Sequence, residues 1–169
     1  MSSTPLPAAI GEAAARLVKA AKAKGVMVVT AESCTGGLVS AAITEIAGSS
    51  SVLERGFVTY SNAAKAELLG VPVAVIANHG AVSAETAQAM AQGALLNGHG
   101  TIAVSITGIA GPDGGSEDKP VGTVWFGLAA KGKETCTTHC LFKNNGRDSV
   151  REAAALEALR LLAEAVDHI

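Results

Sequence analysis

The sequence predicts an α/β domain: an α/β/α layered sandwich around a mostly parallel, partly mixed sheet. Short apolar, β-branched runs alternate with segments in which apolar residues recur at helical spacing. The 169 residues suffice for one domain, and 49% of them are hydrophobic against 17% charged, which is enough apolar material for a sizeable core. We therefore expect a single domain over residues 1–169, with its core over about residues 8–166.

The first half of the chain alternates helices and strands. Gly25 and Gly70 end two helical patterns, because glycine readily adopts the left-handed conformation beyond a helix C-terminus. Pro72 reinforces the second stop. The predicted elements are a helix over residues 8–24, a strand over 26–31 (VMVVTA), a turn over 32–37, a helix over 38–46, a strand over 56–60 (GFVTY) and a helix over 63–69.

The second half adds a helix, three strands and a long final helix. Ser83 caps a helix that runs to about Leu96. A capping box of Ser149 and Glu152 opens the last helix, which runs to about Val166. Between these helices we expect a strand over residues 101–107, an irregular glycine-rich loop over 108–122, and a hairpin of strands 123–130 and 134–142 around the turn 131–132.

Composition excludes several classes of function. The net charge is −2 with no basic block, so we expect no nucleic-acid partner. No apolar run is long enough to span a bilayer, and the N-terminus does not resemble a signal peptide, so we expect no membrane association. The three cysteines, an odd number without CxxC spacing, make a disulfide framework improbable and favour a cytoplasmic location.

The reactive residues cluster in three loops that leave predicted strands, over residues 32–37, 61–65 and 108–122. In open α/β sheets, ligands bind at the carboxyl ends of the strands. The turn Thr30–Gly37 (TAESCTGG) precedes a helix, whose free N–H groups and positive dipole end suit an oxyanion or a phosphate. Simple helix capping by Ser33 and Thr35 is an equally good interpretation of this spacing.

Cys34 is a rival nucleophile in the same turn. A thiol near a helix N-terminus has a depressed pKa and is reactive. A catalytic cysteine usually needs a histidine, however, and the four histidines are scattered along the chain. Because they also lack the spacing of metal ligands, we expect neither a metal site nor another cofactor.

The segment TYSNAAK (residues 59–65) offers a base. If Asn62 caps the short helix, Lys65 lies in the first turn, where a positive charge is disfavoured by about 0.3–1 kcal/mol and where burial would lower its pKa further. Such a lysine can act as a general base, although an ordinary solvated lysine is the simpler interpretation. Tyr60 is either a core residue, a group that orients the nucleophile, or a face for a cationic ring.

Two further segments could hold an anion. The glycine-rich loop TGIAGPDGG (residues 107–115) can cradle a phosphate through backbone N–H groups, although its spacing matches no standard phosphate motif. Lys143 and Arg147 precede the final helix, where they could hold an anionic ligand; two exposed charges in a loop are an equally good interpretation.

Taken together, these segments resemble the CinA C-terminal domain family, the nicotinamide-nucleotide amidohydrolases. The resemblance spans nearly the whole chain in the expected order, and a chance match of that extent is remote. It is carried by AESCTGG (31–37), IAGSS (46–50), RGFVTYSNAAK (55–65), HGAVS (79–83), SITGIAGPDGGSEDKPVGTVW (105–125) and the loop around Arg147.

The resemblance implies metal-independent hydrolysis of the carboxamide of nicotinamide mononucleotide, in recycling of the NAD cofactor. Ser33 is then the nucleophile, Lys65 the base and Tyr60 their neighbour. The expected substrate-binding residues are Cys34, Thr35, Gly36, Gly37, Asn62, Thr107, Gly108, Gly111 and Arg147. Longer family members carry an additional N-terminal domain, and we expect this chain to be the stand-alone form.

Two alternatives stay open. A non-catalytic pyridine-nucleotide sensor would bind the same ligand without turnover, although the presence of Ser33, Tyr60 and Lys65 together argues against it. A thiol hydrolase would use Cys34 in place of Ser33. We also expect a homo-oligomer, in which Arg147 serves its own site or that of a neighbouring subunit.

Overall fold

Five strands form one mixed sheet between two layers of helices in the computed structural model, which describes residues 5–169. The strands are β1 (Val28–Glu32), β2 (Leu53–Val58), β3 (Ile102–Gly108), β4 (Thr123–Ala130) and β5 (Cys136–Leu141). The helices are α1 (Ala8–Lys24), α2 (Leu38–Thr44), α3 (Asn62–Leu69), α4 (Val73–His79), α5 (Ala84–Asn97) and α6 (Arg147–Asp167), and a short 3₁₀ helix (Ser49–Ser51) precedes β2.

The sheet has the strand order β2-β1-β3-β4-β5. β1 pairs in parallel with β2 and β3, whereas β4 is antiparallel to β3 and β5, so four strands point one way and β4 the other. Glu32 at the end of β1 pairs with Val58 and Ile106, which brings the carboxyl ends of β1, β2 and β3 to one edge. The predicted convergence of the three following loops is confirmed.

The two faces of the sheet are covered by separate apolar clusters. Along β3, Ile102, Val104 and Ile106 pack with residues of α1, α2 and α6, whereas Ala103 packs with residues of α5 and the end of α3. This alternation follows from the period of two in a strand. It confirms the α/β/α sandwich expected from the sequence.

Small residues let α5 lie close to the sheet. A Cβ atom at Gly127 of β4 would collide with the carbonyl oxygen of Ala87 in α5. Ser105 of β3 donates a hydrogen bond to the same carbonyl over 2.6 Å. Larger side chains at these positions would push the helix away from the sheet.

The structure corrects the sequence prediction at α4, at the start of α6 and at the start of β2. α4 is absent from the sequence prediction, because Pro72 was interpreted only as a stop, whereas proline also fits the start of a helix. α6 begins at Arg147 after Gly146, where no side-chain capping bond forms, so the predicted capping box of Ser149 and Glu152 is wrong. β2 starts three residues before the predicted Gly56.

No helix within residues 5–169 is both long and apolar enough to cross a membrane.

Candidate active site

A cavity of about 280 Å³ lies at the carboxyl ends of β1 and β3, where the strand order reverses. Its lining residues come from five parts of the chain: the turn after β1, the start of α3, the loop before α5, the end of β3 with the loop that follows it, and the start of α6. They are Ser33, Cys34, Tyr60, Asn62, Lys65, Ala81, Val82, Thr107, Gly108, Ile109, Ala110, Gly111, Asp113, Gly114 and Arg147.

A larger groove of about 690 Å³ lies between α1 and α6. Arg160 in that groove is paired with Glu157 and Glu164, and the groove contains neither Ser33 nor Lys65. The smaller cavity is the candidate active site, because it alone of the two combines a hydroxyl, a buried amine and a guanidinium.

The turn that carries Ser33 is fixed at both ends. The Ser33 N–H donates to the Ile106 carbonyl over 2.9 Å, and the Gly36 N–H donates back to the Ser33 carbonyl over 3.0 Å. Gly36 and Gly37 have φ values of +59° and +102°, which side-chain-bearing residues rarely adopt. The two glycines therefore allow the chain to reverse from β1 into α2 while Ser33 faces the cavity.

Glu32 is a buried acidic residue that the sequence analysis missed. Its carboxylate accepts hydrogen bonds from the N–H groups of Val39 (2.9 Å) and Ser40 (3.1 Å) and from the Ser40 hydroxyl (3.0 Å). These two N–H groups at the start of α2 are thus occupied and are not free for an oxyanion. The sequence feature that could have identified Glu32 is a single carboxyl group at the end of an apolar strand.

Lys65 lies in the first turn of α3, as predicted, but the helix cap is different. Ser61 caps α3 through a hydrogen bond from the Ala64 N–H, and Asn62 is the first helical residue. The Lys65 side chain is only 1% exposed. Its Nζ lies 3.0 Å from Ser33 Oγ, 2.8 Å from the Thr59 carbonyl and 3.3 Å from the Tyr60 carbonyl.

Burial lowers the pKa of Lys65 below its ordinary value of 10.5, and only the neighbouring Cys34 opposes this shift. A neutral amine has two N–H bonds and one lone pair. The two carbonyls can accept from the N–H bonds, which directs the lone pair toward the Ser33 hydroxyl. The geometry therefore suits the neutral form of Lys65.

Tyr60 and Arg147 meet at the cavity rim. The Arg147 guanidinium donates to the Tyr60 hydroxyl over 3.0 Å and to the Gly111 carbonyl over 2.7 Å. Arg147 is the first residue of α6 and lines the cavity, whereas Lys143 does not. Two of the five guanidinium donors are in use, which leaves others for a ligand.

Thr107 and the glycine-rich loop form the opposite wall. The Thr107 hydroxyl donates to the Ala81 carbonyl over 2.8 Å, which fixes the loop before α5 against β3. Gly108 and Gly111 line the cavity as expected. Six further lining residues were not among the predicted site residues, namely Ala81, Val82, Ile109, Ala110, Asp113 and Gly114. Of the expected binding residues, Thr35, Gly36 and Gly37 lie outside the lining.

Cys34 does not have the environment of a reactive thiol. Its side chain is 5% exposed and packs in the apolar cluster beneath α1, α2 and α6. Burial raises the pKa of Cys34 to about 11, the opposite of the expected depression. All three cysteines are free thiols. Within residues 5–169, no group of three His, Cys, Asp or Glu side chains is placed to hold a metal ion.

Fold and site together define an α/β domain with a serine, a buried lysine and a guanidinium around one cavity. The chain belongs to the CinA C-terminal domain family, whose model matches residues 11–166. It is 56% identical over 144 residues to the nicotinamide-nucleotide amidohydrolase PncC of Escherichia coli K12, with 85% of this chain and 87% of that protein covered. A relative from Enterobacter agglomerans with the same name is 55% identical over 141 residues, covering 83% and 85%.

Longer relatives and solved structures agree with this assignment. A putative competence-damage inducible protein of Symbiobacterium thermophilum is 46% identical over 93% of this chain, which covers 37% of that protein. The crystal structure of the competence/damage inducible protein CihA from Agrobacterium tumefaciens has a TM-score of 0.93 at 45% identity, with 98% and 99% of the two chains covered. The predicted family is confirmed.

Proposed function

We propose that the protein is a nicotinamide-nucleotide amidohydrolase that converts nicotinamide mononucleotide to nicotinic acid mononucleotide and ammonia. Support comes from the 56% identity with PncC over most of both chains. The single structural observation that carries the proposal is the contact of 3.0 Å between the buried Lys65 amine and Ser33 Oγ inside the cavity. Nucleophile and base within hydrogen-bond reach are the signature of covalent catalysis.

In the proposed acylation step, neutral Lys65 removes the proton from the Ser33 hydroxyl as its oxygen attacks the carboxamide carbon. The lysine ammonium then gives that proton to the departing nitrogen, the carbon–nitrogen bond breaks, and ammonia leaves. The product of this step is an ester between the nicotinoyl group and Ser33. The pyridinium ring withdraws electrons and makes its carboxamide more electrophilic than a plain amide.

In deacylation, Lys65 takes a proton from water, which attacks the ester carbon. Ser33 regains its proton from the lysine as the ester bond breaks, and the carboxylic acid that forms releases its proton to solvent and leaves as a carboxylate. The same amine thus serves both steps, because the carbonyls of Thr59 and Tyr60 hold it in place.

The oxyanion formed in each step needs donors near Ser33. The Cys34 N–H is the best candidate, because Cys34 lines the cavity and this N–H donates to no backbone carbonyl within residues 5–169. The residue after the nucleophile supplies such a donor in other serine hydrolases. We propose this single N–H in place of the α2 helix start, whose donors bind Glu32.

The remaining donors of Arg147 make it the proposed ligand of the 5′-phosphate, with the Tyr60 ring as a face for the pyridinium. The wall at Thr107, Gly108 and Gly111 encloses the rest of the nucleotide. Action in the cytoplasm, in recycling of NAD, and assembly into a homo-oligomer are predictions that accompany this proposal.

The direct test is ammonia release from nicotinamide mononucleotide, measured together with formation of nicotinic acid mononucleotide. The proposal predicts one ammonia per product molecule. Saturable binding of the nucleotide without turnover would identify a sensor and contradict the proposed activity. The buried, protonated Cys34 thiol gives a thiol hydrolase no support.

A further inference from the structure

We propose that Arg151 is a positioning residue for the turn that carries Ser33, an inference that rests on the proposed role of Ser33 as nucleophile. The Arg151 guanidinium donates from Nε to the Cys34 carbonyl over 3.1 Å and from Nη2 to the Thr35 carbonyl over 3.0 Å. Two donors of one rigid fork therefore hold the carbonyls, and with them the peptide groups, of the two residues that follow Ser33.

The second of these peptide groups links Arg151 to Ser33 itself. The peptide whose carbonyl belongs to Thr35 has its N–H on Gly36, and in a trans peptide these two groups point in opposite directions. That N–H donates to the Ser33 carbonyl over 3.0 Å. A continuous chain of hydrogen bonds thus runs from the guanidinium through one peptide to the backbone of Ser33, and each bond polarises the next.

The same chain of hydrogen bonds bears on the oxyanion donor. The Ser33 carbonyl, which accepts from the Gly36 N–H, shares its planar peptide with the Cys34 N–H. Because the Cys34 N–H is the proposed oxyanion donor, the contact of Arg151 with the Thr35–Gly36 peptide helps to fix the direction of that donor. A donor in an oxyanion site works only when it is aimed in advance at the developing charge.

Arg151 acts through the turn and does not contact the substrate. It is half-buried and is absent from the residues that line the cavity, whereas Arg147, one helical turn earlier on the same face of α6, lies at the rim. The two arginines thus connect α6 through hydrogen bonds to the cavity rim and to the turn that carries Ser33. Arg147 holds Tyr60 and Gly111, and Arg151 holds the nucleophile turn.

The test compares Arg151→Lys and Arg151→Ala with wild type in steady-state assays on nicotinamide mononucleotide. A lysine cannot reproduce the two-donor fork, so kcat of Arg151→Lys should fall about ten- to a hundredfold, as expected for a small misplacement of reacting groups. KM should change less than about threefold, because no ligand contact is lost. Added guanidine should restore part of the activity of Arg151→Ala, since it can refill the vacated space.

Arg160→Ala is the matched control. Arg160 lies on the same helix and donates hydrogen bonds only to Glu157 and Glu164 among the described residues, so its replacement should leave kcat and KM within about twofold of wild type. Amide hydrogen exchange adds a readout without substrate, because the Gly36 N–H should exchange faster in Arg151→Lys than in wild type or Arg160→Ala.

A kcat for Arg151→Lys within about twofold of wild type overturns the inference, whether or not Arg151→Ala folds or the Gly36 exchange rate changes. An increase in KM at constant kcat also overturns it, since that result would indicate a substrate ligand. Ser33→Ala is assayed in parallel. If wild type shows no turnover, the proposed function fails; if Ser33→Ala retains turnover, the role of Ser33 as nucleophile fails. If Ser33→Ala is inactive while Arg151→Lys is fully active, only the role of Arg151 fails.

Discussion

The Lys65 amine lies 3.0 Å from the Ser33 hydroxyl oxygen, and the carbonyls of Thr59 and Tyr60 occupy its other two directions. An ammonium in this position could donate to all three oxygens, but burial disfavours its charge and lowers its pKa. The amine in this contact therefore loses its proton at a lower pH than an exposed lysine does.

The first prediction concerns this pH dependence. Only neutral Lys65 can accept the Ser33 proton, so kcat/KM should rise with pH through the lowered pKa of Lys65 and level off before the ordinary value of 10.5. Conformational stability should rise in the same window, because the unfolded lysine binds more protons there than the folded one. In Lys65→Ala, the free energy of unfolding measured in urea should no longer rise with pH in this window. A kcat/KM profile that rises only at pH 10.5 or above would contradict the account.

The second prediction concerns Cys34. Cys34→Ala should fold and keep substantial activity, because the thiol packs in the core and is protonated near neutral pH. In wild type, iodoacetamide at pH 8 should modify the exposed Cys136 first, and modification at Cys136 should not change kcat. Mass spectrometry locates the label. A thousandfold loss of activity in correctly folded Cys34→Ala would move the nucleophile to the thiol.

The third prediction concerns the phosphate. Arg147→Ala should lower kcat/KM for nicotinamide mononucleotide about ten- to a hundredfold, since a charge-assisted hydrogen bond is worth roughly 1.5–3 kcal/mol. The corresponding riboside lacks the phosphate and should be a poor substrate that is hardly affected. Tyr60→Phe serves as a control, because it removes the hydroxyl that Arg147 contacts and leaves the guanidinium in place. Equal losses on nucleotide and riboside would exclude a phosphate-binding role.

The fourth prediction concerns Glu32. Glu32→Gln turns one acceptor oxygen into a donor that faces N–H groups of α2, so unfolding free energy should fall by about 1–3 kcal/mol. Urea unfolding measures the loss. Glu45→Gln is the matched control, since Glu45 is exposed at the end of the same helix and should change stability by less than about 0.5 kcal/mol. Equal stability of the two variants would show that the Glu32 contacts contribute nothing.

The fold was largely predictable because its elements repeat simple patterns. The helix over residues 8–24 and the strand over 123–130 agree with the structure at both ends, since glycine and apolar periodicity mark them. α4 was not predicted because its sequence, VAVIANH, is short and almost uniformly apolar, without the spacing of apolar and polar residues that marks a helix. The start of α6 was not predicted correctly because no side-chain cap marks it.

Part of the candidate site was also predictable. Ser33, Lys65, Tyr60 and Arg147 stand out because reactive groups follow strands whose carboxyl ends meet at one edge. Glu32 and Arg151 act through backbone groups of other segments, and such contacts depend on tertiary geometry that no local spacing encodes. The occupation of the α2 start by Glu32 could not be foreseen for the same reason.

The central claim is that Ser33 and Lys65 act as one catalytic unit on nicotinamide mononucleotide. The most direct measurement is kcat for ammonia release by wild type, Ser33→Ala, Lys65→Ala and the double variant. We predict that each single change lowers kcat by about 10⁴-fold or more and that the double change adds little, because a dyad fails when either member is lost. Near-native turnover by correctly folded Ser33→Ala would contradict the account.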